Sequence, residues 1–302
     1  MSWLFFAFSG PVLWAISTHL DKYLVERFFK HSDVAVLVVF TALIGVLALP
    51  LIAVYEPSVA GHPPGSVALI VLSGILYMGA MLFYLRALQT EEASVVSPFF
   101  QAAPLFGYVL GYAVLGETLS PLQMTGGALI LLGTLIVSVR FGGKHGVFKL
   151  RLALLMLACG LALAVSALIF KIFALEVDFW ATTFWMFVGE AIFGAALLMI
   201  APYRRQFVAL TRVNTTALVT ISGSNELINL GAGMGSRYAL LFAPLSIVQA
   251  ISGTTTLFVF AFGIALSVFF PHLARETLSS RELLRKGTAA LLVAIGVALV
   301  VR

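Results

Sequence analysis

Two carboxylates sit at the centres of long stretches that carry no other charge: Glu190 in 179–200 and Glu226 in 214–236. Placing an ionised side chain at the middle of a bilayer costs roughly 3 kcal/mol on insertion scales. A carboxylate there faces a water-filled cavity, pairs with a base, or takes up a proton. Glu226 has company. Asn225 and Asn229 are four residues apart, and Glu226 and Asn229 three, which gathers them on one side of a helix. That grouping suits the binding of a proton or a substrate amine. The competing reading is a protonated glutamate that only hydrogen-bonds between helices. Glu190 stands alone between Gly189 and Phe193, and both readings stay open for it.

Further polar residues recur at helical spacing. Ser94, Ser97, Gln101 and Pro104, with Tyr108 beyond them, line one side of the 93–115 stretch. Ser246, Gln249, Ser252, Gly253 and Thr256 do so in 243–269. Small residues of this kind serve close helix packing, but Gln101 and Gln249 are too long for that and are expected to face a common cavity. Pro104 frees a backbone carbonyl and permits a kink. Lys22 and Lys171 end their helices at opposite faces, where a lysine usually snorkels to a headgroup. Turned inward, Lys171 would hold an anionic substrate group. His19 stands one turn before Lys22, where a lone interfacial histidine is more often structural. Trp14, Tyr77 and Tyr84 are candidate cavity aromatics or packing residues.

The elements that must position these groups are apolar helices. The 302-residue chain is 61% hydrophobic and only 10% charged, against about 25% charged in soluble domains. A span needs about 20 apolar residues. Ten spans are predicted: 2–21, 34–54, 66–86, 93–115, 121–140, 151–171, 179–200, 214–236, 243–269 and 284–301. The first lacks a basic leader and a small-residue cleavage site, so it reads as a retained helix.

The chain also reads as one unit written twice. Glu117-Thr118-Leu119-Ser120 recurs as Glu276-Thr277-Leu278-Ser279, each before the last helix of its half. Ala87-Leu88 pairs with Ala239-Leu240, Ser94 with Ser246, Leu105-Phe106 with Leu257-Phe258, and Gly111 with Gly263. Lys22 and Lys171 follow similar Ala15-Ile16-Ser17 and Ala164-Val165-Ser166 runs. The expected architecture is all-α: a polytopic membrane protein of ten helices in two inverted five-helix repeats, 1–140 and 151–302, joined by a linker at 141–150. An odd number of crossings per repeat inverts the halves, the arrangement used for alternating access. Ser120 and Gln123, with Pro121 between them, form a capping box, and Ser279 with Glu282 forms another, so the tetrapeptide reads mainly as a helix start.

These residues resemble the EamA-type branch of the drug/metabolite transporter superfamily. The features carrying the resemblance are Ala87-Leu88, Ser94 with Ser97, Pro104, Gly116-Glu117, and Gly126 with Gly133. The second half departs from the pattern: Thr256 stands where Pro104 would pair, and Arg275 precedes Glu276. The resemblance implies a ten-helix carrier with a central cavity lined mainly by helices 1, 3, 4, 6, 8 and 9. It leaves the substrate open among amino acids, sugars, nucleotide derivatives and drugs.

Other functions find little support. The lone Cys159 excludes a disulfide or cysteine metal site. No His/Asp/Glu cluster has metal spacing, no glycine loop cradles a nucleotide, and no cofactor is expected. The net charge of +5 lies in membrane-flanking loops and does not suggest nucleic acid. The expectation is a secondary transporter, not an enzyme, for a small polar or amphipathic metabolite. Glu226 and Glu190 are its proton-coupling candidates, and Trp14, Tyr77, Gln101, Asn225, Asn229 and Gln249 its cavity residues. The alternatives are a proton-independent exchanger or facilitator, and a flippase-like lipid-linked translocase subunit. The expected partners are a small-molecule substrate and the lipid bilayer, with a homodimer left open because the sequence does not give the oligomeric state.

Fifteen of the eighteen Lys and Arg residues follow the odd-numbered helices, and only Lys171, Arg237 and Arg302 fall on the other side. The basic side is cytoplasmic, which puts both termini on the non-cytoplasmic face of what is expected to be a bacterial inner membrane. Cysteines placed at Gly61 and Gly146 should therefore react with an impermeant thiol reagent from outside and inside respectively. The reverse pattern would invert the topology.

Overall fold

The computed structural model describes residues 2–28, 32–90, 102–138, 150–213, 215–269 and 280–300. Among them every regular element is helical. The α-helices are α1 (Ser2–Arg27), α2 (Ala35–Tyr55), α3 (Pro64–Thr90), α4 (Ala102–Leu115), α5 (Pro121–Ser138) and α6 (Leu150–Glu176). They continue as α7 (Phe179–Met199), α8 (Ala201–Val213), α9 (Thr215–Ala239), α10 (Leu245–Gly253), α11 (Thr255–Phe269) and α12 (Ser280–Val300). A 3₁₀ turn, Pro57–Ala60, follows α2.

Among the described residues six helical stretches are long and apolar enough to cross a membrane: Trp3–Val25, Ala35–Tyr55, Pro64–Gln89, Leu152–Glu176, Phe179–Met199 and Leu245–Ala265. Ala102–Leu115, Pro121–Gly133 and Gly287–Val300 are shorter apolar helices. Local chemistry sets several starts. The Ser120 N–H donates to Gln123 Oε1 (3.1 Å) and the Gln123 N–H to Ser120 Oγ (3.2 Å), the capping box expected at α5. Asp178 accepts from the N–H groups of Trp180 and Ala181 at the start of α7. The second box, around Ser279, lies outside the described residues, as do Ser94, Ser97 and Gln101.

Two elements differ from the sequence expectation. The basic connection after α7 is itself a helix, α8. Its Tyr203, Phe207 and Leu210 pack on the buried cluster around Leu24 and Val36–Phe40, while Arg204, Arg205 and Arg212 stay exposed. A one-sided apolar stripe of three turns was too short to read as a span, and its basic face read as a loop. The ninth span divides at Thr254. The Thr254 and Thr255 hydroxyls donate to the carbonyls of Ile251 and Ser252, and such back-bonding bends helices.

Helices of the two halves interleave. α1 packs on α9, α3 on α6 and α7, α2 on α7, α5 on α12, α4 on α6 and α10, and α11 on α1. The α3–α7 crossing is backbone to backbone. A Cβ added to Gly74 would lie 2.0 Å from the Met186 carbonyl oxygen, and one on Gly189 2.0 Å from that of Val71. Such crossings hold membrane helices by van der Waals contact. Gly74→Val should lower stability by at least about 1–3 kcal/mol, the usual cost of overpacking, read as a lower thermal midpoint in detergent. Gly127→Val, where nothing lies within 4 Å of the added carbon, should leave the midpoint unchanged.

Candidate functional site

A cavity of about 30 Å³ lies where α2 and α3 meet α7 and α9. It joins elements from both halves of the chain. α9 contributes Glu226, Asn229, Leu230, Gly233 and Arg237, residues that recur every three or four positions along one face. α2 contributes Thr41, Ile44 and Gly45, α3 Tyr77, and α7 Phe187 and Glu190. The volume holds about two waters, whereas metabolite pockets run from about 300 Å³ upward. In this conformation the cavity is too small for a metabolite.

The charges divide into two kinds. Glu190 is not alone: Arg237 Nη2 donates to its Oε1 at 3.1 Å, and both side chains are almost wholly buried. The guanidinium also lies over the rings of Tyr77 (5.5 Å), Phe170 (5.7 Å) and Phe187 (5.3 Å), contacts that favour a desolvated cation. Arg237, counted from sequence among the outward loop residues, is therefore a partner inside the bundle. Glu226 is held differently. Its Oε1 accepts the Thr41 hydroxyl at 2.7 Å and its Oε2 the Asn229 amide at 3.5 Å. Among the described residues no cation forms an ion pair with it. Neutral donors can serve the carboxylate, and the protonated acid can use the same partners.

Asn225 separates from this group. Fully buried, it donates to Asp21 of α1 at 2.7 Å, and its own carbonyl oxygen has no protein partner. Asp21 was missed in the sequence because it adjoins Lys22 near a helix end and reads as an interfacial charge. Tyr77 is among the residues lining this cavity. Trp14 does not; its ring rests against Gly10 and its carbonyl accepts the Thr18 hydroxyl. Gln249 lies against Gly107 of α4, so α4 and α10 meet, but not at this cavity. Lys171 neither snorkels nor offers an open anion site: it is buried and bonded to Glu117. His19 meets the carbonyl of Val259 on α11 at 3.1 Å. Among the described residues no group of His, Cys, Asp and Glu is placed to hold a metal ion.

The Arg237 partnership was legible in principle. Arg237 follows Glu226 by eleven residues, three helical turns, and Glu190 required a cation. Removing one member of a buried pair leaves the other charge uncompensated and costs about 3–5 kcal/mol, whereas removing both is far milder. Glu190→Gln and Arg237→Gln should each lower the thermal midpoint in detergent, and the double variant should fall well short of their sum. Additive losses would mean the two groups act independently.

A solved structure described as "Crystal structure of protein" superposes with a TM-score of 0.70, covering 99% of this chain and 95% of that one at 16% identity. That similarity establishes the fold alone. No curated protein matches the chain. Residues 1–139 match the family model of the EamA-like transporter family, so the first half of the chain is similar to an EamA unit, consistent with a membrane transporter of the drug/metabolite transporter type.

Proposed function

We propose that the protein is a secondary carrier that moves a small polar or amphipathic metabolite by alternating access, with Glu226 exchanging a proton as the cavity changes sides. The observation that carries this reading is the cavity itself. It is lined by both halves and holds one neutralised ion pair and one carboxylate whose described donors are neutral. A carboxylate of that kind stays charged only while water reaches it, and takes a proton when the site closes. Proton occupancy is thereby tied to which side is open.

The inverted ten-helix arrangement belongs to the same reading. In the ten-span count, α9 is the eighth span, α10 with α11 the ninth, and α12 the tenth. Exchanging the first five spans for the last five turns the α1–α9 contact into α6–α3, and α4–α6 into the contact of α10 and α11 with α1. It returns α2–α7 and α5–α12 to themselves. Packing that maps onto itself in this way is what two repeats of one unit produce.

The test is transport in proteoliposomes across a metabolite panel, preselected by ligand-induced thermal stabilisation. Wild-type protein should accumulate or expel its substrate under a pH gradient. Glu226→Gln keeps shape and hydrogen bonding but removes the exchangeable proton. It should reduce gradient-driven flux at least tenfold while leaving the thermal midpoint within a few degrees. Undiminished gradient-driven flux in this variant would remove the proton role and leave an exchanger or facilitator.

A further inference from the structure

Glu117, the first residue of the repeated tetrapeptide, does work that the helix start at Ser120 does not require. Gly116 takes a positive φ of 63°, open to glycine at little cost, and turns the chain back on α4. Glu117 then folds over Gly111. Its N–H donates to the Gly111 carbonyl (3.1 Å), and a Cβ on Gly111 would come within 2.6 Å of its Oε2. Its two carboxylate oxygens reach different elements of the other half. Oε1 accepts from Lys171 Nζ of α6, and Oε2 accepts the N–H of Leu245, the first residue of α10, at 2.9 Å. Pro244, at the N-cap of α10, makes no side-chain cap, so Glu117 supplies the missing acceptor from across the molecule. Lys171 completes the ring by donating to the Ala243 carbonyl at 2.7 Å.

This cluster is connected to the cavity. Phe170, adjacent to Lys171 in sequence, lies under the Arg237 guanidinium and packs edge-on against Phe179, which packs in turn on Tyr238. The side chains of Lys171 and Glu117 retain 9% and 15% of their exposure. Glu117 lies on the connection after α4 and Lys171 within the last two turns of α6, a position from which a separated pair can rehydrate. We propose that Glu117, Lys171 and the 243–245 turn form an ionic latch that holds this end of the carrier shut, and that its release opens the cavity to that face. The latch rests on the alternating-access reading above.

The test reads accessibility, not transport. In a Cys159→Ala background, a single cysteine replaces Gly45 in the cavity wall; its Cβ would make only an ordinary 3.6 Å contact with Glu190. Sealed vesicles are treated with an impermeant maleimide from the face that bears Glu117. Glu117→Gln and Lys171→Gln should each speed labelling at least tenfold, and the double variant should be no faster than the faster single. Glu117→Asp keeps the charge but withdraws it by one methylene, and should give an intermediate rate. It decides the matter alone if the neutral variants do not fold, as judged by thermal midpoint and gel filtration. Labelling at the parental rate in the folded variants overturns the latch, and a parent that still transports substrate then leaves the carrier reading intact. Faster labelling in a protein that moves no substrate retains the latch and removes the carrier reading.

Discussion

A charge inside a bilayer must be neutralised, hydrated or protonated, and the arrangement of this protein follows from how it meets that demand. Arg237 and Glu190 lie on different helices, so neither can be satisfied until α9 and α7 face each other across the cavity. The aromatic rings of Tyr77, Phe170 and Phe187 close around the guanidinium and bring α3 and α6 into the same requirement. One pair thus fixes the relative placement of four helices drawn from both halves. Apolar packing gives little help with this choice, because lipid tails solvate an apolar helix as well as another helix does.

The same demand separates the two glutamates that the sequence presents as equals. Glu190 has a permanent cation, and protonating it would strand Arg237. Glu226 has a hydroxyl and an amide, which serve a charged or a neutral carboxyl alike. One acid is therefore suited to hold the bundle together and the other to change its state. Their shared cavity leaves room for water beside Glu226 without breaking the pair next to it.

Much of this was legible from residues. The long apolar runs located the six described helices long enough to span a membrane, the isolated carboxylates located two residues of the cavity wall, and Ser120 with Gln123 gave the start of α5. What escaped was pairing across helices. Periodicity places Arg237 on the face of Glu226, but its position just before Tyr238, near a helix end, made it look like a loop residue. Asp21 was hidden for the same reason, since only the approach of Asn225 from α9 shows that it points inward. Lys171 was read as a headgroup anchor because its acceptor, Glu117, is 54 residues away on another element. The amphipathic α8 was missed because its apolar stripe is satisfied by a cluster formed from α1 and α2, which no local window contains.

The contacts between helices also differ in how they can move. At the α3–α7 crossing, backbones meet where Gly74 and Gly189 leave no side chain between them, and sliding there would drive carbonyls into α-carbons. That crossing moves as a unit. Between α4 and α10, by contrast, the flexible side chains of Gln249 and Leu245 lie over Gly107, a surface that permits displacement. The Glu117 cluster sits at the end of this surface and caps α10 directly. In the proposed cycle the rigid crossings carry the halves and the α4–α10 surface shears. The ionic contact at its end then sets when it does so, because this ion pair can exchange its partners for water while a backbone crossing cannot.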